Sequence, residues 1–245
     1  MQGIVLGCGP SVGVPSLRWG WGACDPKNPK NQRTRSSFFF RTLQGSWLID
    51  ASPDLRYQCL AQGVKKINGV LCTHAHMDHI GGVGDLVAFA VSGPVLFYAD
   101  SLTCEALKTM LPYAFLGNTQ FIQLHPIQGL FYLFDIPVVS FIQNHGTSYS
   151  LGYRFPTWAY STDLVELSEE AFDLLKGIDT WILACLSTLP NKKHAHLERV
   201  LTWVERVKPK RTILTHMNSD LDYNTLKDQL PFGVEPGFDG MVLSL

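Results

Sequence analysis

Hydrophobic positions fall into short β-rich runs that alternate with amphipathic stretches along most of the chain. Runs of β-branched and aromatic residues predict strands over 4–6, 37–43, 47–50, 69–73, 95–99, 121–124, 129–134, 138–142, 150–155, 158–161, 180–186 and 212–215. Apolar positions at helical spacing predict helices over 54–62, 84–91, 101–111, 168–176, 195–207 and 223–230. Because few helices separate the strands in each half, the pattern favours two packed sheets that are covered outside by helices.

Local sequence adds two helix starts and one long loop. Ser101 and Ser168 stand where N-caps are expected. Residues 15–35 combine Gly, Pro, Asn and Trp with little periodicity, which predicts a loop. The basic residues of this loop leave two interpretations open, a solvated face or a surface that steers an anionic substrate. They are Lys27, Lys30, Arg33 and Arg35.

Composition excludes several classes of protein. The chain has 245 residues, of which 46% are hydrophobic, so it can bury a large core and is not disordered. Twenty Lys and Arg against 21 Asp and Glu give a net charge of -1, which excludes a protein that coats DNA or RNA by charge alone. Charged residues make up only 17% of the chain, yet it contains eight His.

We expect a cytoplasmic protein with no membrane partner. No apolar run approaches the roughly 20 residues that cross a bilayer, and the N-terminus lacks the basic region of a signal peptide. The six Cys are scattered without a CxxC pair, which is typical of free thiols in a reducing compartment.

One cluster of His residues carries the strongest chemical signal. The segment THAHMDH at 73–79 follows an apolar run and contains His74, His76, Asp78 and His79. Imidazoles and a carboxylate packed this closely are costly to bury unless a partner such as a divalent metal ion binds them. A strand that runs into a turn can direct the first two His at one ion, and Asp78 and His79 at another.

Further candidate ligands stand at the ends of other predicted strands, namely His145, Asp163 and His216. Taken singly, each would be interpreted as a capping or hydrogen-bonding residue, but beside the first motif we expect each to bind metal. The full set of His and Asp without Cys suits Zn, Mn or Fe. Two dications less two carboxylates leave a charge of about +2, which favours an anionic substrate such as a phosphodiester.

Several further segments complete a family pattern. They are GCGPS at 7–11, GVP at 13–15, LIDA at 48–51, GYRF at 152–155, STD at 161–163, LTHM at 214–217 and GFDGM at 237–241. With THAHMDH, they make the chain resemble the metallo-β-lactamase superfamily, and within it the phosphodiesterase branch related to the carbon–phosphorus lyase pathway. The resemblance covers nearly the whole chain. It implies one domain over 1–245 with an α/β fold, a four-layer αββα sandwich.

The resemblance also implies a role for each ligand. One metal ion would be held by His74, His76 and His145, the second by Asp78, His79 and His216, with Asp163 as the bridge. Asp78 would in addition orient the metal-bound hydroxide. Asp50 ends a predicted strand at a position that relatives use to hold a metal-bound His from behind.

A proton donor for the leaving group comes from the segment KHAHLE at 193–198. Residues two apart on a helix do not share a face, so at most one of His194 and His196 points into the site. By resemblance, His194 is the catalytic His that protonates the leaving oxygen or contacts the phosphate. We expect His196 to face outward or to cap the helix, and His125 to lie in a loop.

A structural zinc is not expected. Some close relatives hold one with Cys residues in the loop after the first strand and with a second His three residues after the last ligand. In this chain that loop offers only Cys24, and Ser219 stands at the position of the second His.

The expected activity is hydrolysis of a small cyclic phosphate or nucleotide phosphodiester by a hydroxide held on two divalent metal ions, Zn or Mn. Two alternatives stay open, a tRNA 3′-processing endonuclease and a non-catalytic accessory protein on the same fold. The net charge of -1 argues against an extended nucleic acid as partner, and the complete ligand set argues against an accessory role. High apolar content predicts a covered surface, so a homodimer is also expected.

Overall fold

The computed structural model describes residues 1–117 and 120–245, whose strands form two seven-stranded sheets. The first sheet contains β1 (Gln2–Gly7), β2 (Ser37–Arg41), β3 (Ser46–Ile49), β4 (Gly69–Leu71), β5 (Val95–Ala99), β6 (Ile122–Pro126) and β14 (Met241–Ser244). Their order across the sheet is β14-β1-β2-β3-β4-β5-β6. Strands β3 to β6 are parallel, whereas β14, β1, β2 and β3 pair antiparallel.

The second sheet repeats this division between parallel and antiparallel strands. It contains β7 (Leu130–Leu133), β8 (Ile136–His145), β9 (Ser148–Arg154), β10 (Trp158–Ser161), β11 (Thr180–Ala184), β12 (Arg211–Thr215) and β13 (Val234–Pro236). The order is β13-β12-β11-β10-β9-β8-β7. Strands β10 to β13 are parallel, and β7 to β10 are antiparallel.

Six α-helices accompany the sheets in the described part of the chain. They are α1 (Leu55–Ala61), α2 (Met77–Ile80), α3 (Ser101–Met110), α4 (Glu169–Leu175), α5 (Leu197–Val207) and α6 (Tyr223–Gln229). Short 3₁₀ segments cover Pro29–Asn31, Val83–Ser92 and Pro112–Phe115. Within residues 1–117 and 120–245, no helix combines the length and the apolar character needed to cross a bilayer.

Side chains that alternate along β2 contribute to two separate cores, one on each face of the sheet. Along β2, Phe38 and Phe40 point between the sheets, where Phe40 contacts Trp158 edge-on at 5.3 Å between ring centroids. Phe39 points to the opposite face, where it belongs to the core under α1 and α3. On the second sheet, α4 and α5 pack through Phe172 and Trp203. The result is the four-layer αββα sandwich that the pattern and the resemblance predicted.

The structure confirms each predicted strand, with ends that shift by a few residues. It adds β13 and β14, which the sequence analysis did not predict. The prediction of an α-helix over 84–91 is wrong, because Val83–Ser92 is 3₁₀ with a non-helical residue at Ala90. Ser101 is not the N-cap of α3, since Asp100 accepts the hydrogen bonds of the first turn. Ser168 does cap α4.

Candidate metal centre

The candidate ligands come from five segments that end at one edge of the sandwich. His74 and His76 follow β4, Asp78 and His79 lie on the single turn of α2, and His145 is the last residue of β8. Asp163 and His216 follow β10 and β12. The carboxyl ends of neighbouring parallel strands meet at one edge, so residues far apart in sequence come together there.

These residues form two groups that share one carboxylate. The first group consists of His74, His76, His145 and Asp163, and the second of Asp78, His79, Asp163 and His216. Within each group, one ligand atom from every residue lies within 4.8 Å of the others. The structure therefore brings together all seven sequence-predicted ligands in two groups that could each hold a metal ion.

Three residues of the site adopt a backbone conformation that is uncommon outside Gly. The φ angles of Asp50, Asp163 and His216 are +63°, +51° and +56°. A non-Gly residue in this left-handed region costs about 1–2 kcal/mol, although Asp and His tolerate it better than most. Asp50 and His216 directly follow a strand, and Asp163 lies two residues after one, so the turn redirects each side chain at the sheet edge.

Asp50 fixes the orientation of His79 from behind. Its carboxylate is buried and lies 2.6 Å from His79 Nδ1. The same carboxylate accepts hydrogen bonds from Thr73, at 2.7 Å from the backbone N and 2.9 Å from Oγ1. Because a carboxylate accepts, His79 Nδ1 carries a proton, and Nε2 is the nitrogen at which a bound cation would take the place of the second proton.

Backbone and hydroxyl acceptors set the same tautomer at two other His. The hydroxyl of Thr73 donates to Asp50, so it accepts from His74 Nδ1 at 3.0 Å. The carbonyl oxygen of Lys193 lies 3.0 Å from His145 Nδ1 and can only accept. In all three imidazoles Nε2 is therefore the ligand atom. Sequence analysis missed the role of Thr73, although its place directly before the His motif was a usable signal.

Asp163 is the electrostatic centre of the site. Burial would raise the pKa of its carboxyl group, but the adjacent His216 and His79 imidazoles hold that pKa well below its ordinary value. Burial likewise would lower the pKa of His216, but the Asp163 carboxylate raises it to about 9. Asp163 thus stays ionised and attracts positive charge, either protons on the two His or a divalent cation in their place.

The pKa of His74 shifts in the opposite direction to those of His79 and His216. Burial, and then the positive charge of His79, lower the pKa of His74 to about 2. Burial also lowers the pKa of His145, against the effect of Asp163. Neutral imidazoles are the form that binds metal, so His74 and His145 need to lose no proton when a cation arrives.

The ligand atoms fit a divalent metal ion. His79 Nε2 is buried without a hydrogen-bond partner, while oxygens of Asp78 and Asp163 lie 3.2 and 3.4 Å from it. Both ring nitrogens of His216 are also buried without a hydrogen-bond partner. Imidazole nitrogens and carboxylate oxygens are ligands that Zn and Mn accept. A cation would satisfy buried atoms that the side chains leave unsatisfied.

The structure separates the remaining three His. His194 stacks on His216 at 5.1 Å between ring centroids and meets His145 edge-on at 4.9 Å, so it borders the site as predicted. His196 occupies the N-cap position of α5 without a side-chain capping bond. The prediction that His125 lies in a loop is wrong, because it belongs to β6 and stacks on Tyr98.

The long loop over 15–35 is tied to the segment that follows His216. The Arg33 guanidinium, with only 1% of the residue exposed, donates to the carbonyl oxygens of Asn218 at 2.8 Å and Leu221 at 2.5 Å. The Cys24 thiol donates to the carbonyl oxygen of Ser219 at 3.5 Å. Because its guanidinium is buried, Arg33 is part of neither a solvated face nor a steering surface. It anchors the loop to a segment that lies 185 residues or more away in the sequence.

Two cavities open on the ligand groups. The larger one, of about 710 Å³, is lined by His194, by His216 and by Trp19 of the loop. The second, of about 420 Å³, reaches His74 and His76 and passes Tyr149. A ligand whose reacting centre lies at the metal groups can therefore extend in two directions.

Comparison with known proteins agrees with this fold and site. The family model described as a beta-lactamase superfamily domain matches residues 46–217, which include every proposed ligand. This match, together with the αββα sandwich and the two candidate ligand groups, shows that the chain belongs to the metallo-β-lactamase superfamily. It belongs within that superfamily to the PhnP family. A solved diphosphatase of that family is 30% identical and has a TM-score of 0.94, with 100% of this chain and 97% of that chain covered.

Other relatives are more distant or share only part of their length. The octanoyltransferase of Porphyromonas gingivalis (strain ATCC BAA-308 / W83) is 28% identical over 98% of this chain and 51% of that protein. The ribonuclease Z of Crocosphaera subtropica (strain ATCC 51142 / BH68) is 33% identical over 42% of this chain and 36% of that protein. The chain thus spans about half or less of the length of the curated relatives it matches. Human short-form tRNase Z shares the fold, with 18% identity, a TM-score of 0.74 and 100% and 99% coverage of the two chains.

Proposed function

We propose that this chain is a dinuclear-metal phosphodiesterase that hydrolyses a small phosphodiester. The observation that carries the proposal is the pair of four-residue ligand groups joined through Asp163. One bridging carboxylate between two imidazole-rich groups suits two divalent ions held close together. We propose Zn or Mn as the ions, because the donor atoms are nitrogen and oxygen without sulfur.

The reaction adds water across one phosphorus–oxygen bond, so the diester gives a monoester and an alcohol. Bound divalent ions would neutralise the phosphoryl oxygens and make water more acidic. Asp78, whose side chain is 13% exposed, is the most accessible carboxylate of the set and would orient the attacking water through a hydrogen bond. The ligand residues hold the phosphoryl group at the bottom of the two cavities, which excludes bulk water from one face.

We assign to His194 either protonation of the leaving oxygen or contact with the phosphate. Burial lowers the pKa of the free imidazole to about 4, so the proton-donor role requires the bound phosphoryl anion to raise that pKa again. Its Nδ1 is buried without a hydrogen-bond partner, and its ring borders the larger cavity next to His216. An alkoxide is a poor leaving group unless a positioned acid protonates it, and such an acid contributes typically 10²–10⁴-fold to the rate. We therefore place the leaving group on the side of the larger cavity.

The relatives suggest two other activities, which this site supports less well. A tRNA 3′-end endonuclease would bind a long polyanion, whereas this chain has a net charge of -1. Acyl transfer, named for the P. gingivalis relative, commonly uses an accessible thiolate, whereas all six Cys are buried. An accessory role without catalysis would leave the complete ligand set and His194 unexplained.

The test combines metal analysis with a panel of substrates. Purified protein should hold two divalent ions per chain and cleave bis-p-nitrophenyl phosphate, ribose cyclic phosphate or cyclic nucleotides. Two bound ions without cleavage of any diester would refute the proposal, and cleavage of a tRNA precursor alone would favour the endonuclease. Sedimentation at low concentration tests the homodimer that we also propose.

Leaving-group chemistry tests the role of His194. We expect His194→Ala to slow cleavage of an alkyl diester by about 10²-fold or more while metal content stays the same. Nitrophenolate leaves without a proton, so cleavage of the nitrophenyl diester should fall far less. His196→Ala on the same segment is the matched control. Equal loss with both diesters would remove His194 as the proton donor.

A further inference from the structure

One exposed aromatic residue at the larger cavity has no role in holding metal or moving protons. Trp19 is 60% exposed and lines the same cavity as His194 and His216. An exposed indole ring is unfavourable, because covering an aromatic side chain removes about 150–250 Å² of surface from water. Binding sites commonly place such a ring where a ligand will cover it.

The backbone around Trp19 holds the ring in place before any ligand binds. Ser16 and Gly20 exchange two backbone hydrogen bonds, each 2.9 Å long, which close a tight loop around it. The Ser16 hydroxyl accepts a further hydrogen bond from the Trp19 backbone N at 3.0 Å. The Arg18 guanidinium lies 5.1 Å from the centre of the indole ring and supports it by a cation–π contact. Binding would therefore cost little ordering of this segment.

The cavity lining combines two kinds of chemistry. It includes one metal ligand, His216, together with Lys193 and His194, which suit a phosphoryl anion. It also includes Trp19 and the half-exposed Val12, which suit a flat apolar group. A volume of about 710 Å³ is within the range of cavities that enclose a ligand of drug size.

We propose that the substrate is a nucleotide phosphodiester whose base stacks on Trp19 while its phosphoryl group lies at the metal groups. This inference rests on the proposed function and names its substrate class. A sugar phosphate without a base would leave the indole in water and most of the cavity empty. Trp19 is thus a specificity-determining residue. Every base offers a π face, so stacking selects nucleotides as a class rather than one base.

Binding of two phosphate monoesters tests the proposal on protein loaded with Mn. AMP and ribose 5-phosphate differ by the base, so the ratio of their affinities measures what the base contributes. We expect the wild type to prefer AMP, and Trp19→Ala to lower that ratio by about 5- to 150-fold, the range for one base stacked on an aromatic ring. Trp19→Phe should restore most of the ratio. Isothermal titration calorimetry gives both dissociation constants for each variant.

Trp21 on the same loop provides the matched control, because it does not border the larger cavity. Trp21→Ala should keep the wild-type ratio. A wild-type ratio near one, or an equal ratio in the wild type and Trp19→Ala, would overturn the proposal. The two proposals fail separately: loaded protein that cleaves no diester refutes the phosphodiesterase, whereas the affinity ratio judges Trp19 without any turnover.

Discussion

Replacing Asp50 by Asn should weaken metal binding at both ligand groups without removing a ligand. Asp50 accepts hydrogen bonds from Thr73 and His79, and the Thr73 hydroxyl in turn accepts from His74. An Asn amide keeps one acceptor oxygen and puts an NH₂ donor in place of the other. If that donor faces His79 Nδ1, the His79 proton moves to Nε2, the atom that should bind metal. The Thr73 hydroxyl would likewise turn to donate to His74.

The size of the effect follows from what such supporting bonds contribute. Loss of the residue that orients a metal-bound His typically lowers metal affinity about 10- to 100-fold, which is about 1.4–2.7 kcal/mol per ion. Asp50 is fully buried, so water cannot replace the lost acceptor. We therefore expect two weakened binding events rather than the loss of one.

The assay is calorimetric titration of Zn or Mn into protein that has been stripped with a chelator. Asp54→Asn is the matched control, since it makes the same change of charge four residues later, where Asp54 pairs with Arg35 at 3.1 Å. The control should bind both ions as the wild type does. If Asp50→Asn binds both ions with wild-type affinity, the assignment of the tautomers through Asp50 is wrong.

Three further predictions test other parts of the structure. Thr73→Val should weaken metal binding about tenfold, and only at the ligand group that contains His74, whereas Thr73→Ser should keep the wild-type affinity. Equal metal affinities of the two variants would show that the Thr73 hydroxyl does not orient His74. Arg33→Ala should lower the free energy of unfolding, measured in urea, by about 3 kcal/mol or more, because buried carbonyl oxygens lose charged donors. Arg56→Ala, at an exposed residue, is the control. A loss for Arg33→Ala no larger than that of the control would show that the anchor is dispensable. Burial raises the pKa of Cys59 and Cys185 to about 12, so their thiolate fraction at neutral pH falls about 1000-fold. These two thiols should therefore react slowly with Ellman's reagent until denaturant unfolds the protein. Rapid reaction in the folded state would be inconsistent with their burial.

Much of the fold could be predicted from the sequence. Runs of β-branched and aromatic residues located twelve of the strands, because such side chains pack well on a pleated, buried surface. The runs did not indicate β13, which ends in Pro236, or β14. The 3₁₀ conformation of Val83–Ser92 was not predictable either, because α and 3₁₀ helices share nearly the same apolar spacing over two turns.

The ligands divide in the same way between local and distant information. The THAHMDH segment places its four candidates side by side, so its chemistry was visible without a fold. Asp163 and His216 were predicted only because the first motif was present and both follow predicted strands, since nothing in the residues beside them distinguishes a ligand from a cap. Their left-handed backbone and their burial follow from the turn at the sheet edge.

Residue types and local periodicity were enough to predict the sheets, the chemistry of the ligands and their order along the chain. Folding was needed to show which nitrogen each His presents, that Arg33 is buried and that Trp19 faces the cavity. The physical reason is distance in sequence. Proton position and burial depend on the group that each side chain meets, and those groups lie 29 residues away for His79, 48 for His145 and 185 for Arg33. Such contacts exist only once the two sheets have packed.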